Sequence, residues 1–248
     1  MAVIRHADSW LEPHELGAKR PYRPTYSESI TLGPTHRRLL EAPLKAGSVA
    51  IDIGIPGSLR REDAAKLYEL AYFARGDVLE LGCARGLSTA IIAQAVHDAG
   101  RAARVVSVDL EPRMIERARA NLAAYNLLAG VELILGDASA VCHSLIAQGR
   151  RFGFAFIDHS HAYGEVLAVC GLLPSLVEEG GFVLFHDFND RRNKAEQNSG
   201  YGVYSGVVDG LPAPPFAFYG AFGCTGLYRR EGAAESRAGN RPSSILGA

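Results

Sequence analysis

DVLELGCARGLSTA, running from Asp77 to Ala90, decides the architecture. Asp77 to Gly82 is a short apolar run of strand length, Gly82 and Gly86 bracket a turn, and helical periodicity follows from about Ser88 to Ala99. A strand, a glycine turn and a helix make the opening of a βαβ unit. Downstream the same alternation repeats. RVVSVD (Arg104 to Asp109) precedes a helix that Pro112 can start as its first residue and that runs to about Tyr125. VELIL (Val131 to Leu135), FAFID (Phe154 to Asp158) and GFVLFHD (Gly181 to Asp187) are the next strands. Right-handed crossovers put their C-terminal ends on one edge of a parallel sheet, where ligands bind in this architecture.

Further out the signals change. Pro214 to Arg230 reads as two strands meeting around Gly220 to Gly223, so the sheet should end in an antiparallel hairpin. The polar stretch after Asp187 is longer than most loops and reads as a flap beside the site or a solvated insertion. Ahead of the first strand, Pro56 and Gly57 mark a turn, and Ala64, Leu67, Tyr68 and Ala71 share one face of a helix over Glu62 to Ala74. Residues 1–50 mix Trp10, Tyr22 and Tyr26 with prolines and basic residues: a substrate lid, an arm exchanged between subunits of a homo-oligomer, or a leader. Residues 231–248 are rich in Ala, Gly, Ser and Arg and are expected to be disordered. The division is an arm over 1–50, one α/β domain over 51–230, and a tail.

Composition narrows the class. Of 248 residues 48% are hydrophobic, enough for one sizeable core, and the net charge is −1. Lys and Arg are scattered, so the footprint of a nucleic-acid binder is missing and a small-molecule substrate fits better. No apolar run approaches the roughly 20 residues that span a bilayer, and the first residues carry charges where a signal peptide is apolar. A cytoplasmic protein is expected, with Cys83, Cys142, Cys170 and Cys224 as reduced, buried thiols, far apart and without metal-ligand spacing.

The first turn, Gly82-Cys-Ala-Arg-Gly86, lacks the middle glycine that lets backbone approach a pyrophosphate. Its room and its N–H groups at a helix start suit S-adenosylmethionine, which carries no phosphate. Asp109 closes the second strand, where a carboxylate accepts from both ribose hydroxyls, a role common to nicotinamide and S-adenosylmethionine sites. After the third strand, Asp137 can accept from an adenine amino group while the Ala138 N–H donates to the ring; Asp137 equally suits a helix N-cap.

VLELGCARGLSTA (Val78 to Ala90) resembles the first motif of the catechol O-methyltransferase-like enzymes. IPGSLRREDAAKLYELA ahead of it resembles the lead-in of a related bacterial small-molecule methyltransferase family. FIDHSHAYGEV resembles that family's FIDGDHSYEGV, with Asp158, His161 and Tyr163 on matching positions, and GGFVLFHDF resembles its fifth strand, ending in His186 and Asp187. The likeness covers roughly residues 53 to 230. It implies a class I S-adenosylmethionine-dependent methyltransferase: a doubly wound, seven-stranded, mostly parallel sheet with an antiparallel C-terminal strand. Reading and resemblance together place the cofactor against Glu80, Gly82, Cys83, Gly86, Ser88, Asp109, Leu110, Asp137, Ala138 and Asp158.

Methyl transfer from a sulfonium needs near-attack geometry and an acceptor with a free lone pair, so a hydroxyl acceptor must lose its proton. Asp158, His159 and His161 at one strand end and His186 and Asp187 at the next offer a base and a carboxylate pair. Asp158 also suits a helix cap, His159 an exposed position and His186 a packed histidine; the clustering favours function for Asp158, Asp187 and His161, and the exposed reading for His159. The resemblance implies magnesium held by Asp158, Asp187 and an Asn after the latter, but Phe188 stands at that position. Asn189 or Asp190 could substitute, His186 could recruit a transition metal, or no metal is used. Two carboxylates at neighbouring strand ends would repel unless a cation sat between them, which puts the metal route ahead; protonated His186 is the one local side chain expected to replace it. O-methylation of a small hydroxylated metabolite leads, N-methylation is the nearest variant, and a nicotinamide-dependent oxidoreductase and a binding scaffold are the alternatives.

Overall fold

The computed structural model describes residues 33–194 and 200–232. Most of the N-terminal arm and of the tail, with the expectations attached to them, lies outside the described residues. The chain runs α1 (Pro34–Leu40), α2 (Arg61–Phe73), β1 (Val78–Leu81), α3 (Leu87–Asp98), β2 (Val105–Asp109), α4 (Pro112–Ala124), β3 (Val131–Leu135), α5 (Ala138–Ala147), β4 (Phe152–Ile157), α6 (Tyr163–Leu176), β5 (Val177–Phe185), α7 (Val203–Gly210), β6 (Phe216–Phe222) and β7 (Thr225–Arg230). All seven strands join one sheet in the order β3-β2-β1-β4-β5-β7-β6. Pairing is parallel from β3 across to β5, and β7 runs antiparallel between β5 and β6. The expected architecture is present.

Period-two alternation sorts the strand residues between two cores. Val78, Phe154, Phe156 and Leu184 pack against α1, α2 and α3 through Leu39, Leu67, Tyr68, Ile91 and Ile92. Leu79, Leu81, Val106, Val108 and Ile157 face α5, α6 and α7 through Cys142, Leu145, Val169, Leu173 and Val207. Each such side chain, removed from water, contributes roughly 1.5–3 kcal/mol. Leu39 and Ala42 share the first core, so from residue 34 onward the expected arm is packed into the main domain. Among the described residues no helix is long and apolar enough to cross a membrane.

Local chemistry sets the helix starts. Pro112 opens α4, and the Asp137 carboxylate caps α5 by accepting the Ala140 N–H at 2.9 Å. β5 begins at Val177 rather than Gly181, with an irregularity in its pairing to β4 between Phe152 and Phe154. The polar connection after β5 does not begin as a solvated loop. Phe188, Asn189 and Asp190 are buried, and Arg191–Lys194 form a short 3-10 turn.

Register brings the site together. Leu81 pairs with Val108 on one side and Ile157 on the other, and Ile157 pairs with Phe185. The residues that follow these ends, Gly82, Asp158 and His186, therefore emerge side by side where the strand order reverses about β1.

Candidate active site

Two cavities meet at this edge, and Gly82 is in the wall of both. The first, of about 400 Å³, is lined by Asp109, Leu110, Asp137, Ala138 and His159 among others. The second, of about 540 Å³, is lined by Cys83, Ala84, Arg85 and Ser88 on the glycine turn and by Asp158, His161, His186 and Asp187 across from it.

Gly82 has φ +93°, and a Cβ there would sit 2.2 Å from the Asp158 carbonyl oxygen. The turn after β1 is therefore pressed against the turn after β4 by backbone contact alone. Asp109 ties the same loop to β2: one carboxylate oxygen accepts the Ala84 N–H at 2.8 Å and the other the Glu111 N–H at 2.9 Å. Each oxygen keeps a second acceptor position, so the pair of ribose hydroxyls can still be taken. Ala84 itself sits at φ +44°, an uncommon conformation for a residue with a side chain.

Asp137, Ala138 and the exposed Leu110 border the first cavity, and Ser88 and Cys83 border the second. Two predicted contacts line neither. Gly86 is the left-handed N-cap of α3, closely packed on Ala118 of α4. Glu80 is fully buried beneath the loop, accepting from Thr89 Oγ1 at 2.6 Å and from the Ser107 hydroxyl, and burial pushes its carboxyl up to about 7. Both shape the turn from behind. His159, read as exposed, is instead folded into the wall of the first cavity, and burial lowers its pKa.

The charge cluster is tighter than the sequence shows. Asp187 Oδ2 lies 2.9 Å from His161 Nε2, and its Oδ1 lies 3.0 Å from Arg192 and 3.5 Å from His186 Nδ1. Burial would raise the Asp187 carboxyl, but His186, His161 and Arg192 outweigh it and hold it well below the ordinary range. Burial likewise opposes a proton on His186, yet Asp158 at 3.2 Å and Asp187 keep its pKa well above 6.5. The Asp187 hydrogen bond raises His161 as well. The expectation that His186 is the one local cation is corrected: Arg192 folds back from the 3-10 turn onto Asp187 and Asp190, and His161 adds a third contact. Tyr201 stacks on the His161 ring with centroids 5.0 Å apart and is covered by Arg192.

This donor set does not fit magnesium. Phe188 points away, packed among Tyr204, Phe218 and Tyr228. Asn189 is buried and donates to the Gly223 carbonyl, while Asp190 pairs with Arg192 and Arg60. Among the described residues two carboxylates remain for an ion that takes mostly oxygen ligands, and both oxygens of one already contact cations. Asp158, His161 and Asp187 do form a mixed group with donor atoms within 4.8 Å of one another, a set suited to a transition metal.

Four side chains here had no sequence signal: Arg192 and Tyr201 from the polar connection, Asp63 from α2 and Cys224 from the β6–β7 turn. The last two reach His186 on its Nε2 side, Cys224 Sγ at 3.3 Å and Asp63 Oδ2 at 3.8 Å, and Cys224 also lines the second cavity.

Comparison with known proteins agrees with this geometry. A family model described as a methyltransferase domain matches residues 79–188. A carboxy-S-adenosyl-L-methionine synthase of Enterobacter sp. (strain 638) is 38% identical over 60 residues, 24% of this chain and 24% of that protein, so the chain spans about a quarter of the length of the curated relatives it matches. The O-methyltransferase TomG from Streptomyces achromogenes, solved with S-adenosylmethionine, is similar in fold with TM-score 0.56 at 20% identity, over 68% of this chain and 79% of that one. An O-methyltransferase from Bacillus cereus, in complex with S-adenosylhomocysteine, gives TM-score 0.57 at 19% identity, over 81% and 92%. The family match runs from β1 to just past the end of β5, and the seven-stranded sheet on which it lies is similar in fold to these solved methyltransferases.

Proposed function

We propose that the protein transfers the methyl group of S-adenosylmethionine to a hydroxyl of a small metabolite, with His161 as the base and Asp187 as the group that orients it. The observation that carries this is the His161–Asp187 pair, 2.9 Å apart, in the wall of the cavity that joins the cofactor cavity at Gly82. Adenosine is assigned to the first cavity, with Asp109 on the ribose, and the methionine moiety to the loop Gly82 to Ser88. The remaining side of the second cavity takes the acceptor. A carboxylate on one imidazole nitrogen fixes ring orientation and favours the imidazolium that forms when the other nitrogen takes the acceptor proton. N-methylation is the nearest variant, since an amine that arrives neutral needs no base. A cytoplasmic setting suits the four buried free thiols.

A second reading adds a divalent transition metal, favoured by the donor group of Asp158, His161 and Asp187. A bound ion would supply positive charge that lowers the acceptor's pKa. The test is calorimetric titration with S-adenosylhomocysteine and with NAD, followed by transfer of labelled methyl to a panel of phenols, alcohols and amines. Binding of S-adenosylhomocysteine and not NAD, with methyl transfer to oxygen, is expected. NAD binding, or transfer confined to nitrogen, would overturn the reading.

A further inference from the structure

His186 is gripped from two sides. Its Nδ1 faces Asp158 and Asp187 at the edge of the acceptor cavity, while Nε2 faces inward to Cys224 and Asp63. Those two residues stand 161 positions apart, one on α2 and one in the turn between β6 and β7, and both are buried. The hydrogens of this buried chain can be assigned from its acceptors. The Asp63 carboxylate only accepts: Oδ1 takes the Cys224 N–H at 2.9 Å, and Oδ2 takes the Arg60 N–H and the Cys224 thiol, each at 3.1 Å. A thiol has one proton, and the Asp63 carboxylate, 3.1 Å from the sulfur, is there to accept it. With that proton given to Asp63, the sulfur can only accept from the imidazole. Nε2 must therefore carry hydrogen.

We propose that Asp63 and Cys224 are positioning residues that lock the His186 ring through an Nε2–H···Sγ–H···Oδ2 chain, so that Nδ1 is presented to Asp158 and Asp187. Ring rotation would break this chain and leave a buried carboxylate and thiol mismatched, a cost larger than the net gain of any one of the bonds. The geometry thus couples α2 and the terminal hairpin to the acceptor side of the site. That coupling rests on the methyltransfer reading only in what Nδ1 is used for.

Nitrogen NMR of labelled imidazole reads the chain without any activity. The wild-type protein and Cys224→Ser should show a slowly exchanging proton on His186 Nε2, and Cys224→Ala and Asp63→Asn should lose it. Kinetics with an acceptor that the panel of phenols, alcohols and amines identifies should then show kcat lowered about 10- to 100-fold in Cys224→Ala, a fraction of a full acid–base contribution. The acceptor KM and S-adenosylhomocysteine affinity should stay within about twofold, with Cys224→Ser restoring most of the rate. Should Asp63→Asn fail to fold, since Asp63 also caps α2, the two Cys224 variants suffice. An unprotonated Nε2 in the wild type, or a proton equally protected in Cys224→Ala, overturns the proposal. A chain present by NMR in a protein that transfers no methyl group would instead overturn the function and leave the positioning intact.

Discussion

Gly82→Ala probes the contact on which both cavities depend. The new Cβ would lie 2.2 Å from the Asp158 carbonyl oxygen, 2.5 Å from its carbon and 2.8 Å from His159 Cα, all backbone atoms that cannot swing aside. Two costs add. Holding alanine at φ +93° costs roughly 1–2 kcal/mol, and forcing a methyl into packed backbone typically costs about 1–3 kcal/mol more. Gly47 provides the control, because it has φ +67° with nothing within 4 Å of its Cβ position, so Gly47→Ala reads the backbone cost alone. Urea denaturation should place Gly82→Ala about 2–5 kcal/mol below the wild type and Gly47→Ala about 1–2 kcal/mol below. The β1 and β4 turns must also move apart, so calorimetry should show S-adenosylhomocysteine binding weakened at least about tenfold in Gly82→Ala, some 1.4 kcal/mol, and unchanged in Gly47→Ala. Equal stability of the two variants with full affinity would refute the claim that the cofactor loop rests on Asp158.

Asp109→Ala removes the ribose acceptor and the anchor of the Ala84 N–H together; S-adenosylhomocysteine affinity should fall by roughly 1.5–3 kcal/mol, and unchanged calorimetry would remove Asp109 from the site. Glu80 is raised in the fold from 4.5 to about 7, so its contribution is fully present below the unfolded value and fades as pH rises toward the folded one. Wild-type stability should therefore drop between pH 5 and 7.5 relative to Glu80→Gln, which carries no titrating group; parallel pH profiles in urea would show that burial does not raise it. Methyl transfer should increase with pH through a midpoint above 6.5, because the raised His161 must lose its proton to act as base, and His161→Ala should abolish that dependence. Dialysis against chelator should leave the rate intact; loss restored by zinc or manganese would put the metal reading first.

The sheet was legible because its strands are short β-branched runs punctuated by glycine, and VELIL became β3 at its predicted bounds. Asp158, His161, His186 and Asp187 could be read as neighbours since each follows a strand end and parallel register aligns those ends. Neither signal exists for Asp63 or Cys224. Asp63 looks like an ordinary helix-capping residue, Cys224 like a buried thiol, and only the return of the β6–β7 turn over α2 puts one on the other. Arg192 was hidden for a different reason. A run of charged and amide residues reads as solvated, yet the first residues of this one are drawn inward by Phe188, an apolar residue that the polar stretch around it disguised.

Phe188 also explains why losing the expected ligand does not leave two repelling carboxylates. Asp187 has φ +55°, a conformation uncommon for a residue with a side chain. Strain of about 1–3 kcal/mol there persists only if the surroundings enforce it. They do so on both sides: Phe188 is buried in the ring cluster of Tyr204, Phe218 and Tyr228, and Asn193 donates to the Asp187 carbonyl at 2.8 Å. The backbone twist that sends Phe188 into the core turns the Asp187 carboxylate into the cavity, and the tightened loop brings Arg192 back onto it. An asparagine at 188 would have no apolar contact to hold that twist. In this chain the position where a metal ligand was expected acts instead as the anchor that delivers a guanidinium to the site, so the charge a cation would have balanced is met by the protein's own side chains.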